Sequence, residues 1–180
     1  YENEQHFLSL VESLDVIHQD AADAAVHLGQ GTTVAVLDTG VDYTREAFGN
    51  CTAPSVPSGC KVLFAQDFTP EDDGSLDAHN HGTNVSGIVL GVAPETRIAA
   101  LDVFTGNYAY VSDIIAGIDW IIENQAVHNI VAMNLSLGAS RYSSECTTSW
   151  AVIPFASARA VRVIPVVASG NDSSKSSVAS

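Results

Sequence analysis

Basic residues are scarce in this chain. Its 180 residues include 7 lysines and arginines against 21 aspartates and glutamates, a formal net charge of −14. Such a polyanion repels phosphate backbones and anionic membrane surfaces, so we expect neither nucleic-acid nor membrane partners. Long apolar runs are also missing, because no stretch reaches the roughly 18 residues that a transmembrane helix requires.

Apolar residues nevertheless make up 46% of the chain, which is enough for a packed core. A chain of this length normally forms one domain. Residues 1–5 are acidic and do not have the character of a signal peptide. We therefore expect that a signal was removed or that the chain begins downstream of one.

Cysteine is used only three times. Cys51 and Cys60 flank a turn-rich loop whose ends can meet, and a disulfide between them would contribute about 2–3 kcal/mol. Such a bond persists in oxidising compartments, which favours a secreted, extracellular protein. The alternative is a pair of free surface thiols. Cys146 is left over, and we expect its partner to lie beyond Ser180.

Strand and helix signals alternate along the sequence. This alternation predicts an α/β fold, a doubly wound parallel sheet flanked by helices. Strands are expected at 32–37, 62–64, 97–103, 130–135 and 161–168, and helices at 82–90, 111–124 and within 148–160. Residues 67–80 are polar and acidic and are predicted to form a surface loop.

Polar residues follow several of the predicted strands, where sites form in open α/β sheets. Asp38 comes directly after the first strand, Ser136 follows another, and Asn171 follows the last. His81 lies at a loop-to-helix junction, where the helix dipole favours a neutral imidazole unless a carboxylate restores its basicity. An aspartate, a histidine and an amide donor are components of nucleophilic serine catalysis.

Four short motifs in order give the chain a resemblance to the subtilisin-like serine proteases, the subtilases. They are Asp38-Thr39-Gly40, His81-Gly82-Thr83, Ser136-Leu137-Gly138 and Ser169-Gly170-Asn171. The resemblance runs from about Leu14 to the end, so residues 14–180 would be the N-terminal part of a catalytic domain. Residues 1–13 would then be the end of an inhibitory pro-region or a linker.

The resemblance implies roles for individual residues. Asp38 and His81 would be triad members, and Asn171 would be the oxyanion donor. An extended polypeptide substrate would lie along Ser136, Leu137 and Gly138. The protein's own pro-region could be a further partner. The remaining substrate-binding positions would be Ala168, Ser169, Gly170 and Val111, the last bordering a pocket for a side chain a few residues before the cleaved bond.

Several departures accompany the resemblance. Many subtilases have a second histidine and an alanine where this chain has Asn84 and Ser86, although neither belongs to the triad. Residues 45–48 differ from the sequence common in subtilases, and the loop after the histidine helix is short. Both differences remove likely ligands of the strong calcium site that many bacterial relatives have. We therefore expect no cofactor to be required and the usual strong calcium site to be absent, with weaker calcium binding by Glu71-Asp72-Asp73 left open.

A metal site is the main rival to this interpretation, because Asp77, His79 and His81 alternate within a few residues. No fourth ligand is obvious and the spacing suits a strand better than a loop. We therefore favour no metal.

The nucleophile is absent from the sequence. No Gly-Thr-Ser motif occurs, and none of the five serines in residues 173–180 has that context. We predict a secreted serine endopeptidase whose serine is missing from this chain, which alone would be inactive. The alternative is a non-catalytic subtilase-like fragment or pseudoenzyme that binds extended peptides.

Overall fold

The computed structural model describes residues 14–70, 74–138, 141–142, 147–171 and 178–179. The expectations for residues 1–13, for the acidic run 71–73 and for Cys146 fall outside these ranges. The helices are α1 (Gln19–Ala24), α2 (His81–Val92), α3 (Val111–His128) and α4 (Val152–Ala160), with a 3-10 turn at Glu46–Phe48. The strands are β1 (Thr33–Asp38), β2 (Val62–Asp67), β3 (Arg97–Asp102), β4 (Phe104–Thr105), β5 (Tyr108–Ala109), β6 (Ile130–Leu135), β7 (Arg141–Tyr142), β8 (Ile164–Val167) and β9 (Val178–Ala179).

Five of these strands form one parallel sheet in the order β2-β3-β1-β6-β8. The central strand β1 pairs Leu37 with Leu101 of β3 on one side and with Leu135 of β6 on the other. Because the strands are parallel, their carboxyl ends meet at one edge of the sheet, where loops can form a site.

Helices cover both faces of the sheet, and the alternation of side chains along β1 explains why. Ala35 and Leu37 point into the core that contains Ile118 of α3, whereas Val36 points into the core that contains Leu90 of α2. Since both faces are covered, β1 is an apolar run with little polar alternation. The predicted doubly wound α/β class is therefore confirmed.

Most predicted elements are present, with shifted ends. Strand β6 has the predicted bounds, helix α3 continues four residues further to His128, and β8 is shorter than expected. Pro154 lies in the first turn of α4, where its missing N–H costs no intrahelical bond. Helix α1 and the β4–β5 hairpin around Gly106 are not among the elements predicted from the sequence.

The predicted disulfide between Cys51 and Cys60 is present, with their Cα atoms 5.3 Å apart. Both cysteines are buried beside Phe48 in the core on the α2 side of the sheet. The alternative of two free surface thiols is therefore wrong. None of the described helices combines the length and the apolar character needed to cross a bilayer.

Candidate active site

The carboxylate of Asp38 lies at the carboxyl end of β1 and is 1% exposed. Its Oδ1 accepts the backbone N–H of Thr39 at 2.8 Å and lies 2.7 Å from Nδ1 of His81. An ionised carboxylate can only accept, so this geometry assigns the donated proton to Nδ1. Oδ2 is also buried and has no hydrogen-bond partner among the described residues.

His81 is the first residue of α2, and the small size of Gly82 brings it close to β1. A Cβ atom at position 82 would lie 2.1 Å from the carbonyl oxygen of Gly40 and 3.1 Å from Cβ of Asp38. Glycine therefore allows the helix to start against the strand end. The imidazole side chain is 54% exposed, and no described residue hydrogen-bonds to its Nε2. One ring nitrogen is thus held by a buried carboxylate while the other is available.

Gly40 forms the turn after Asp38 with a φ of +87°, a left-handed conformation that glycine adopts without strain. A Cβ there would meet the carbonyl oxygen of Leu76 at 2.3 Å. The loop before α2 consequently packs directly on this turn, and Gly40 and Asp77 form an antiparallel bridge.

Asp77 has a place in this site that the sequence analysis missed. Its Oδ1 accepts the hydroxyl of Thr39 at 2.8 Å and the N–H of His79 at 3.1 Å, and its Oδ2 accepts the N–H of Thr83 at 2.8 Å and the Thr83 hydroxyl. Both oxygens are therefore engaged in hydrogen bonds. The available signal was an aspartate shortly before a helix, a capping pattern rather than a metal pattern.

Within the described residues, no group of three or more histidines, cysteines, aspartates or glutamates is arranged to hold a metal ion. The expectation about calcium stays a prediction, because the acidic run 71–73 lies outside the described part of the chain.

A second set of bonds connects the loop after β1 to the start of α2. The N–H of Asp42 donates to the Thr83 hydroxyl at 2.9 Å, and Arg45 donates to Oδ1 of Asn80 at 2.5 Å. The hydrogen bond from the Thr44 hydroxyl is the largest cause that lowers the pKa of the Asp42 carboxyl below its usual value. Arg45 lowers this pKa further, and together these effects outweigh burial, which raises it. The carboxylate of Asp42 is therefore kept ionised beside Arg45.

The predicted peptide-binding segment follows β6, next to β1. Leu137 and Gly138 border a cavity of about 250 Å³ together with Val111, the first residue of α3. Its other lining residues are mainly apolar: Phe104, Asn107, Tyr108, Ala109, Ile114 and Trp150. The structure thus brings three of the sequence-predicted residues together. The hydroxyl of Ser136 accepts a bond from the Asn134 side chain at 2.9 Å.

Ala168, Ser169, Gly170 and Asn171 follow β8 and are all exposed. The N–H of Ala168 donates to the carbonyl of Leu135 at 3.1 Å, which continues the pairing with β6 beyond the strand. Since β6 lies between β1 and β8, strand β8 lies about 10 Å from β1 across the sheet, and Ala168 continues it. Asn171 follows β8 at the sheet edge where β1 also ends, and the residue is exposed.

Known proteases are similar to this chain in sequence. A model of the Subtilase family matches residues 29–180. A subtilisin-like protease of Coccidioides posadasii is 32% identical over 169 residues, covering 89% of this chain and 36% of its own length. A thermophilic serine proteinase of a Bacillus species is 34% identical over 125 residues, covering 63% of this chain and 28% of its own length. The chain thus spans about a third of these curated relatives.

Solved structures share the fold. The S41 psychrophilic protease is 28% identical with a TM-score of 0.60, over 82% of this chain and 48% of that one. A lanthipeptide protease is 18% identical with a TM-score of 0.63, over 92% of this chain and 48% of that one, a likeness of fold alone. Because the family match extends over most of the sequence and includes Asp38 and His81, the chain belongs to the subtilase family.

Proposed function

We propose that the protein is a serine endopeptidase that hydrolyses peptide bonds through Asp38, His81 and a serine that is not among these 180 residues. The observation that carries the proposal is the 2.7 Å contact between a buried carboxylate and an imidazole that is half exposed. A histidine oriented in this way can remove the proton of a hydroxyl brought to Nε2.

In the proposed reaction, Nε2 of His81 accepts the serine proton as the hydroxyl attacks the carbonyl carbon. Asp38 holds the tautomer with its proton on Nδ1 and stabilises the imidazolium that forms. This stabilisation is needed because the N-terminus of α2 disfavours a positive charge. The imidazolium then gives its proton to the leaving amine, and water repeats the sequence on the acyl-enzyme.

We propose Asn171 as the donor to the oxyanion, since its exposed amide follows β8 at the same sheet edge. The substrate would be an extended polypeptide that adds as a strand beside residues 136–138. The cavity at Val111, Leu137 and Gly138 would take an apolar side chain. Gly138 and Ala168 are small and would leave room for a large side chain near the cleaved bond, with Ser169 and Gly170 completing that segment.

The Cys51–Cys60 disulfide supports a secreted, extracellular location, since such bonds persist in oxidising compartments. We further propose that no cofactor takes part in the chemistry and that the usual strong calcium site is absent. A chelator should then leave the midpoint of thermal unfolding unchanged, and a clear decrease would contradict this proposal.

We also propose the protein's own pro-region as a partner, with residues 1–13 as the end of that pro-region.

The decisive experiment begins with the reading frame beyond the codon for Ser180. We would express both the 180-residue chain and any longer product, and treat each with a fluorophosphonate, which labels an activated serine. We expect the 180-residue chain to stay unlabelled and the longer product to be labelled. His81→Ala should abolish labelling, whereas Asp119→Ala on the exposed side of α3 should not.

A stop codon after Ser180, or a longer product that is not labelled, would contradict the protease proposal. The protein would then be better described as a non-catalytic subtilase-like protein. Binding of extended peptides along residues 136–138 would remain as its candidate activity.

A further inference from the structure

We infer that Asp77 is a positioning residue for His81. Its carboxylate holds the first turn of α2 against the end of β1, which keeps the imidazole within bonding distance of Asp38. The inference deepens the proposed function and rests on it, because positioning matters only if His81 acts as a base.

Helix α2 begins without a side-chain cap of its own. The N-cap residue Asn80 has a φ of +58° and its side chain makes no capping bond. The first N–H groups of a helix need acceptors from elsewhere. Asp77 supplies one, since its Oδ2 accepts the N–H of Thr83, the third residue of the helix, at 2.8 Å. A negative charge at this helix end is also favourable.

The other oxygen of the carboxylate reaches the strand. Oδ1 accepts the hydroxyl of Thr39 at 2.8 Å, and the oxygen of that hydroxyl accepts the N–H of Gly82 at 3.1 Å. Thr39 is the residue after Asp38, and Gly82 is the residue after His81. One side chain therefore connects the immediate neighbours of both members of the catalytic pair.

Burial makes this connection hard to replace with water. Thr39 is 6% exposed and Thr83 is 5% exposed, while the Asp77 side chain is half-buried between them. Without the carboxylate, the N–H of Thr83 and the hydroxyls of Thr39 and Thr83 would lose their acceptor in a place that solvent reaches poorly. The strand end and the helix start would then be free to separate.

The test measures His81 directly by NMR, in the full 180-residue chain and without any assay of activity. The variants are Asp77→Ala and Asp77→Asn, and the matched control is Asp119→Ala, which removes an exposed carboxylate from α3. The readouts are the tautomer of His81 from long-range proton–nitrogen spectra and the exchange rate of its Nδ1 proton with water. Far-UV circular dichroism shows whether each variant is folded.

In folded Asp77→Ala we expect the Nδ1 proton to exchange about tenfold faster or more, with a shift toward the Nε2 tautomer. Asp77→Asn keeps one acceptor oxygen and should be intermediate, and Asp119→Ala should match the unsubstituted chain. A purely structural role would lower stability and leave the His81 signals of the folded protein unchanged, which would overturn the inference. Loss of folding in both Asp77 variants would also overturn it, because the carboxylate would then serve folding.

The readout separates this inference from the proposed function. Failure of the longer product to react with a fluorophosphonate would contradict the protease proposal, whereas the His81 signals do not depend on a nucleophile. In a longer product that is active, Asp77→Asn should lower kcat about tenfold with little change in KM. A raised KM with unchanged kcat would instead assign Asp77 to substrate binding.

Discussion

Adding one methyl group at Gly82 tests how closely the Asp38–His81 pair depends on the contact between α2 and β1. In Gly82→Ala the new Cβ would lie 2.1 Å from the carbonyl oxygen of Gly40 and 3.1 Å from Cβ of Asp38. Carbon–oxygen contacts are normally no shorter than about 3.3 Å. One obstacle is the last residue of β1 and the other is the turn that follows it, so the helix start must move away from this end of β1.

The displacement required is about 1 Å, the amount by which the contact falls short of normal. A shift of that size along the line from His81 to Asp38 would stretch the 2.7 Å contact beyond hydrogen-bond range. Overpacking of this kind costs about 1–3 kcal/mol of unfolding free energy. Misplacing a catalytic group by about 1 Å lowers the rate by about 100-fold.

The assay combines urea unfolding with the NMR signals of His81, and adds fluorophosphonate labelling in a longer product that reacts. Gly87→Ala is the matched control, because it makes the same change in the same helix where nothing lies within 4 Å of the new Cβ. There we expect a gain of about 0.5–1 kcal/mol, because alanine favours a helix over glycine.

The reasoning would be refuted by a Gly82→Ala variant that is as stable as the unsubstituted chain and keeps the Nδ1 proton of His81 protected. Such a result would mean that the helix start can move without disturbing the contact between Asp38 and His81. Loss of stability in Gly87→Ala as well would point to a general effect of substitution in α2.

Three further predictions concern other parts of the molecule. Replacing Cys51 and Cys60 with alanine should lower the unfolding free energy by about 2–3 kcal/mol, measured in urea, because the open chain gains freedom in its unfolded state. Thr44→Val removes the largest cause of the lowered pKa of Asp42 and should cost less than about 1 kcal/mol at neutral pH, measured by urea unfolding. If Asn171 is the oxyanion donor, Asn171→Ala in a longer product that is active should reduce kcat about 100- to 1,000-fold with little change in KM, the effect typical of removing one oxyanion donor.

The loss of stability caused by Thr44→Val should depend on pH in a definite direction. A carboxyl whose pKa is lower in the folded state adds stability above its unfolded value of about 3.9, and this stability is lost as the pH falls through the folded pKa. The difference between Thr44→Val and the unsubstituted chain should therefore disappear in strong acid. A difference that persisted there would assign the effect to packing.

The sequence predicted the sheet well because its strands appear as short apolar runs, and the central strands β1 and β3 are buried on both faces. Strand β6 is an example, with bounds that agree with the prediction. The β4–β5 hairpin was missed because two-residue strands carry too little pattern to recognise. Helix α3 was predicted too short because its last turn, with Ala126, Val127 and His128, has no marked apolar spacing.

The part of the candidate site that local motifs encode was predicted, and the part that depends on long-range contacts was not. The pairing of Asp38 with His81 followed from motifs that lie at one strand end and one helix start. The bond from Asp77 to Thr83 fits a local capping pattern, whereas its bond to Thr39, 38 residues away, depends on how the loop before α2 folds over Gly40 and has no local pattern in the sequence. Sequence reasoning therefore placed Asp77 among potential metal ligands, whereas the fold gives it hydrogen bonds to Thr39 and Thr83.

The place of β1 at the centre of the sheet has a consequence for how the chain folds. Thr32 hydrogen-bonds to Thr96, 64 residues away, and Thr33 to His128, 95 residues away. At a synthesis rate of about 5–20 residues per second, β1 would wait about 5–20 s on the ribosome for its second neighbour. Until then one edge of β1 has no native strand partner, so we expect slow folding and a need for chaperones while the chain is being made.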